Sequence, residues 1–321
     1  MSTQEGYLGI RERFITVEES IYGTNPGLST AKVPGVDVII TPTFTQGFQE
    51  IKSAGEDNRT ITKKVAGPLS LAYSLVYYPV TWERLKYVFD IDSETGSGTY
   101  THTLSVGNTI KSFSSEWAIR HDSDPLIFQI TGNVVNQYSI NFNKSNGEGN
   151  DGFITCTENI IAQNYSTPTS AQAGTFSTSG DPFQYRHLNA VIDGDSVVEV
   201  NSGEITFSQG INSSDSRYAN TSLNRNIGTP IVTVFRINGR ININLFNSDF
   251  NTLWEAAAAI SGTCSLAFTQ TSGNKITFTL SGVTFEPAPI GATNIEGVNT
   301  GDLIFTATGV SVVAIDGVAN W

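Results

Sequence analysis

Three histidines, two cysteines and one run of acids are the residues whose types suit proton transfer, nucleophilic attack or metal binding. His102 lies in the alternating stretch Tyr100-Thr-His-Thr-Leu104, which predicts a surface or cross-strand side chain. His121 lies in Arg120-His-Asp-Ser-Asp124, a solvated turn. Neither these nor His187 stands at metal-ligand spacing from another donor. Asp90-Ile-Asp92-Ser-Glu94-Thr-Gly96 has the flavour of a calcium loop, but its glycine is one place late and no Glu occupies the twelfth position. It reads as a polar loop. Cys156 and Cys264 sit in the apolar runs Gly152–Thr157 and Gly262–Phe268 and read as small core residues. Arg236 and Arg240 flank Gly239 and suit carboxylate pairing in a subunit contact better than phosphate binding. No nucleophile elbow, phosphate loop or dinucleotide fingerprint occurs. No catalytic residue, metal site or cofactor is expected.

The elements around these residues are strands. Apolar residues alternate with period two in Val65–Leu75 and Ile237–Leu245, and Val36–Phe44, Leu126–Thr131, Val134–Phe142, Val198–Phe207, Leu266–Thr269, Ile276–Leu280 and Leu303–Thr308 read the same way. Helical spacing is confined to Thr81–Phe89 and Asp249–Ile260, the second with Ser248 or Asp249 as N-cap.

These elements recur. Gly67-Pro-Leu-Ser-Leu71 precedes Trp82, and Gly239-Arg-Ile-Asn-Ile243 precedes Trp254, each Trp fifteen residues after its glycine. A hairpin with its turn at Gly132-Asn133 or Gly273-Asn274 follows. The order strand, helix, hairpin thus predicts a duplicated unit anchored at Gly67, Trp82, Gly239 and Trp254. Trp to hairpin glycine takes 50 residues in the first copy and 19 in the second, which predicts an acidic insertion at about 90–124. The organisation expected is an N-terminal arm (1–34), a first domain (35–162), a linker rich in Ser, Thr, Ala, Gly and Pro (163–185) and a second domain (186–321).

Composition agrees with a β protein. Charged residues make up only 15% of 321 residues, and the single Met argues against a helical bundle. The formal net charge of −12 repels nucleic acid and excludes a conventional DNA binder. Met1–Arg13 is charged and has no apolar core of a Sec-type signal, and no apolar run approaches a membrane span.

Val17-Glu-Glu-Ser-Ile-Tyr-Gly-Thr-Asn-Pro26 resembles the opening of major tail tube proteins of long-tailed, siphovirus-like bacteriophages and tailed archaeal viruses. Gly67-Pro-Leu-Ser-Leu71 before a helix, Tyr100-Thr-His-Thr-Leu104 and Gly132-Asn-Val-Val-Asn136 follow in the order of that family. The resemblance implies two tandem tail-tube β-sandwich or barrel domains, each with one flanking α-helix. It implies rings stacked into a hollow tube through which double-stranded DNA leaves the virion. Because the unit is doubled, three chains would make a pseudo-hexameric ring. The implied partners are other copies of the chain, a tape measure protein and terminator or distal tail proteins. The implied location is the virion, after assembly in host cytoplasm, with no membrane. The arm, including Tyr22, Gly23 and Thr24, is the candidate inter-ring contact and is expected to order on assembly. Two other classes compete: a tail adaptor, spike or glycan-binding adhesin, and a glycosidase with paired carboxylates, for which no motif places the acids.

Overall fold

The computed structural model describes residues 12–51, 63–119, 126–144, 152–173, 180–192, 195–197, 200–212, 230–244, 262–287 and 300–321. The first part of the chain contains β1 (Glu12–Glu18), β2 (Val36–Ile51), β3 (Lys63–Tyr78), β4 (Asp90–Ser97), β5 (Thr99–Ser105), β6 (Phe113–Ile119), β7 (Leu126–Asn143), β8 (Thr155–Ala162) and β9 (Asn164–Ser166). The second contains β10 (Leu188–Ile192), β11 (Asp195–Val197), β12 (Val200–Ser208), β13 (Ile211–Asn212), β14 (Ile231–Val232), β15 (Arg236–Asn244), β16 (Gly262–Thr269), β17 (Lys275–Pro287), β18 (Thr300–Ala307) and β19 (Gly309–Asp316).

The mainly β expectation holds, and every pairing among the described residues is antiparallel. One sheet of eight strands runs β2-β3-β8-β7-β12-β15-β18-β17. Behind it lie two smaller layers. One is β1-β6-β7-β9. The other is β11-β10-β16-β17-β19-β5-β4. The strands β7 and β17 belong to both the large sheet and a layer behind it. Alternation decides which face is buried. Leu71, Tyr73, Leu75 and Tyr77 of β3 point into the core, as do Ile237, Ile241 and Ile243 of β15, while their neighbours face out.

Six pairings of the first part recur in the second. β1–β6, β2–β3, β3–β8, β6–β7, β7–β8 and β7–β9 have counterparts in β10–β16, β12–β15, β15–β18, β16–β17, β17–β18 and β17–β19. The match extends to irregularities. Phe113 pairs Asn133 and then Ser115 pairs Ile130; Gly262 pairs Val283 and then Cys264 pairs Leu280. The glycine beside each step has positive φ, Gly132 at 64° and Gly282 at 58°. There the long strand bends from one layer to the other. Next to each bend the same backbone bond forms, Gln163 N–H to Thr131 O at 3.0 Å and Thr308 N–H to Ser281 O at 3.1 Å.

Several expectations need correction. Gly132-Asn133 is not a hairpin turn but the bend inside continuous β7, so Leu126–Thr131 and Val134–Phe142 are one strand. Gly273 does stand in the β16–β17 turn, where its N–H reaches Gln270 O. β6 falls inside the expected insertion yet is one of the recurring strands. The extra element is the hairpin β4–β5, and it lies against β19 rather than projecting.

The helix expected at Thr81–Phe89 is a 3-10 turn, Glu83–Tyr87. Trp82 and Arg84–Phe89 are all buried. A segment enclosed on all sides has no amphipathic stripe to seat a longer helix. The helix expected at Asp249–Ile260, with Trp254, lies outside the described residues, as does His121. Among the described residues there is no α-helix, and none long and apolar enough to cross a membrane.

Most buried apolar side chains form one cluster spanning both parts of the chain, and Ile15, Leu28 and Ala31 form a second, small one. Trp82 does not simply cover its own sheet. Its ring lies 5.1 Å from Phe183, 6.2 Å from Phe268 and 6.0 Å from Phe278. Phe89 packs edge-on against Phe207 at 5.0 Å, and Phe142 meets Phe268 at 5.7 Å. Aromatic pairs of this kind add to plain area burial. Cys156 and Cys264 are free and buried, as expected of small core residues. Burial pushes the Cys156 thiol well up and the Cys264 thiol up to about 12.

Candidate functional site

Glu19 lies at the centre of the N-terminal motif. Its side chain is buried, and its carboxylate accepts four donors: Gly23 N–H at 2.8 Å, Ser112 Oγ at 2.7 Å, Ser114 Oγ at 2.6 Å and Gly132 N–H at 2.9 Å. A carboxylate can be held inside a protein only with such a set of donors. Gly23 has positive φ, and Tyr22 packs against Gly132. Burial, then the nearby Glu19 charge, raises the Tyr22 hydroxyl above its ordinary value. The motif therefore clasps the loop after β1 to the bend of β7. Residues 12–18 of the arm are already a strand paired with β6, so this part is ordered within the single chain. Tyr22 and Gly23 build the loop from inside; Ile21, 67% exposed, and Thr24 face outward.

A second buried group joins the turn to the large sheet. Arg84 Nε donates to Glu158 Oε1 at 2.9 Å, its Nη2 to Glu158 Oε2, and its Nη1 to Thr16 Oγ1 at 3.0 Å. Its guanidinium stacks 4.4 Å from the Phe113 ring centre. Tyr77 OH donates to Glu158 at 2.8 Å. Burial pushes the Tyr77 hydroxyl far up, and Glu158 adds to it. The group is closed on itself and offers nothing to a substrate. Beside it a cavity of about 360 Å³ is lined by Lys32, Glu83 and Lys86, whose charges are already matched at 2.7–3.1 Å.

His102 is a cross-strand residue, opposite Glu94 on the β4–β5 ladder, and not a surface one. It is fully buried, with Nδ1 3.1 Å from Glu94, Nε2 3.3 Å from Asp316, and its ring stacked 4.0 Å from that of Trp321. Strand alternation puts it on the face of β5 that Trp321 covers. Burial raises the Asp316 carboxyl, against the pull of the Val318 N–H and His102. The acids of the supposed calcium loop are spent inside the chain: Asp92 accepts from Ser105 at 2.8 Å and Glu94 from Asn320 N–H at 3.0 Å. Among the described residues no group of acids, His and Cys could hold a metal ion. His187 takes the Gln184 N–H on Nδ1 at 3.0 Å.

The repeat anchors sit on different rungs. On the ladders to β8 and β18, Leu71 corresponds to Ile237 and Tyr73 to Gly239. Gly67 instead lies at the irregularity where β2 pairs β3 between Gln46 and Phe48. The recurrence in sequence is therefore six residues out of step with the recurrence in pairing. Gly132 and Gly282 were the pair to find; Gly132 stands two places before Val134 and Gly282 one before Val283, but nothing local marks a bend.

The outward face of the eight-stranded sheet is a field of hydroxyls and amides. One row across it is Thr41, Ser74, Asn159, Gln137, Ser208 and Arg236. The next carries Ile39, Val76, Thr157, Ser139, Thr206, Asn238, Thr306 and Thr284, so two apolar side chains stand at its β2–β3 end. Its charges are few and mixed. Glu204 pairs across the ladder with Arg240, Asp302 accepts from Asn242 at 2.6 Å, and Glu286 and Arg236 complete the described set. Among the described residues, this face brings no catalytic groups together.

A family model described as phage tail tube protein matches residues 9–274. No curated protein matches the chain significantly.

Proposed function

Because the chain belongs to the phage tail tube protein family, a family of structural proteins of viral tails, we propose that it is a major tail tube subunit. It forms rings that stack into a hollow tube. The observation that carries this reading is the eight-stranded sheet, in which two sets of the same pairings are joined side by side by β7 and β12. Each set corresponds to one tail tube unit, so the chain holds two tandem units fused through a common core. Three chains complete a ring with pseudo-sixfold symmetry, closing their sheets into one barrel of about twenty-four strands. Closure removes the exposed edges that an isolated sheet would offer for uncontrolled pairing.

The hydroxyl and amide face lines the lumen. Few cations project from it, so few phosphates could be neutralised and the duplex is not retained. The near balance of Glu204, Glu286 and Asp302 against Arg236 and Arg240 keeps this face close to neutral. Before DNA passes, the lumen holds a tape measure protein, and the tube ends meet terminator and distal tail proteins. Rings stack head to tail through an open-ended contact, with the loop Ile21–Gly27, including Tyr22, Gly23 and Thr24, on one side of it.

Electron microscopy of purified chain under tail-forming conditions tests the reading. Hollow tubes with threefold end-on averages are expected. Compact monomers alone would overturn it.

A further inference from the structure

His102 is fully buried between two acids from distant parts of the sequence. On one side Nε2 lies 3.3 Å from Asp316 Oδ1 of β19, within hydrogen-bond reach. On the other, Nδ1 lies 3.1 Å from Glu94 Oε2 of β4, yet no hydrogen bond forms there. A neutral imidazole carries a single N–H. When Nε2 donates it to Asp316, Nδ1 turns a bare lone pair toward the Glu94 carboxylate, and the two repel. One further proton shared by the three groups removes that repulsion, whether it sits on the ring or on a carboxyl. Glu94, with 24% of its side chain exposed, connects the group to water.

The same two acids hold the residues that follow β19. Val318 N–H donates to Asp316 Oδ1 at 2.9 Å, and Asn320 N–H donates to Glu94 at 3.0 Å. Asn320 stands at φ of 54°, in the left-handed region that Asn tolerates better than most residues. Trp321 then stacks on the His102 ring, and with Asn320 it walls the cavity of about 360 Å³ beside Arg84. We infer that Glu94, His102 and Asp316 form a proton-operated latch: with the shared proton in place residues 317–321 are held over β5, and its loss frees them. Among the described residues, His102 is the charged partner of both acids. Tyr100 of the same strand has its ring 6.4 Å away. Lys275 of β17 stands opposite Ile315, so it lies on the other face of β19 from Asp316. Beyond Trp321, Lys32 and Lys86 are matched by Glu83 and Glu18. Burial raises the Asp316 carboxyl, so the folded chain binds the proton more tightly than the unfolded one. The latch is therefore closed in mild acid and opens as pH rises.

The test is amide hydrogen exchange on the full chain from about pH 5 to about pH 9, corrected for the intrinsic pH dependence of exchange. Protection at Val318 and Asn320 should fall at least about tenfold across that range, while the amides of β7 and β12 keep theirs. Glu94→Gln separates the latch from plain packing. Its side-chain amide can donate to Nδ1 of a neutral ring while its oxygen accepts the Asn320 N–H, so no shared proton is needed. Protection at the two amides should then stay flat with pH. Nitrogen NMR of the imidazole rings, of which the chain has only three, provides a measurement free of mutation: the His102 signals should titrate over the range in which the amides open. Wild-type protection that does not change with pH would overturn the latch. So would a Glu94→Gln chain that keeps the wild-type fall, because the residues after β19 would then open for another reason. Should that variant fail to fold, the wild-type rings decide: His102 signals that stay constant while Val318 and Asn320 open would overturn it.

Discussion

Glu158 and Leu303 occupy the same rung in the two parts of the chain. Leu75 pairs Glu158 and Ile241 pairs Leu303, and both of these side chains are buried, at 0% and 1% exposure. One part therefore solves its core with a charge, the other with a hydrocarbon. The fold does not require the charge. What the charge adds is a set of directional bonds: Arg84 ties Glu158 of β8 to Thr16 of β1 and holds the 3-10 turn against the sheet. A leucine could fill the space but could not aim anything. The difference teaches that a buried pair here selects one arrangement of turn and strand, at a desolvation cost that the second part avoids.

The largest effect should come from breaking the pair on one side. Arg84→Met leaves Glu158 buried with only Tyr77 as donor, and should cost about 3–5 kcal/mol of stability. Combining it with Glu158→Leu copies the solution of the second part. Tyr77 and Tyr138 keep their mutual bond at 3.1 Å. The double variant should recover most of the loss in chemical denaturation. If it is as unstable as the single variant, the two rungs are not equivalent in energy and the comparison fails.

The two bends give a smaller, graded contrast. A Cβ on Gly132 would meet the Cβ of Gln163 at 2.5 Å and the ring of Tyr22 at 3.2 Å, in a backbone with φ of 64°. Gly132→Ala should cost about 3 kcal/mol, combining left-handed strain with overpacking. At Gly282 the nearest atom is the hydroxyl of Thr308, the far end of a side chain that can rotate away. Gly282→Ala should cost about 1–2 kcal/mol, close to the backbone strain alone. Equal losses would mean that Tyr22 and the Glu19 clasp do not tighten the first bend. Denaturant midpoints of the two variants decide it.

The strands were legible because alternation is a local signal: the runs at Val36, Val65 and Ile276 fall within observed strands, and those at Ile237 and Leu303 overlap β15 and β18 to within one residue. The recurrence was legible as an order of elements but not in register. Gly67 and Gly239 share flanking apolar residues, yet rung equivalence is set by β8 and β18, partners distant in sequence. The burial of His102 was not legible because its own strand cannot reveal that Asp316 and Trp321, more than two hundred residues later, close over it. The turn at Glu83 looked helical because burial on every side imitates a wide apolar stripe. Glu19 was visible only as part of a motif, since its four donors come from three separate segments.

The smallest effect concerns the contact that exists on one side only. β5 of the extra hairpin pairs β19, the counterpart of β9, whereas the described pairing of β9 is to β7 alone and its residues are exposed. Asp316 sits in that added contact, facing His102 with Glu94 on the opposite side of the ring. Burial holds its carboxyl above the ordinary value, so the folded chain binds this proton more tightly than the unfolded chain. Its contribution is then fully present below the unfolded pKa and is lost as pH rises through the folded value. Asp316→Asn removes that titration while keeping an oxygen for the Val318 N–H, which now reaches Oδ1 at 2.9 Å. The melting temperature of wild type relative to the variant should therefore fall, by on the order of 1 °C, as pH rises from about 4 through the raised range. A difference that stays flat or grows with pH would place Asp316 in water, and the β5–β19 contact would then be loose in solution, leaving the β7–β12 junction as the firm joint between the two parts.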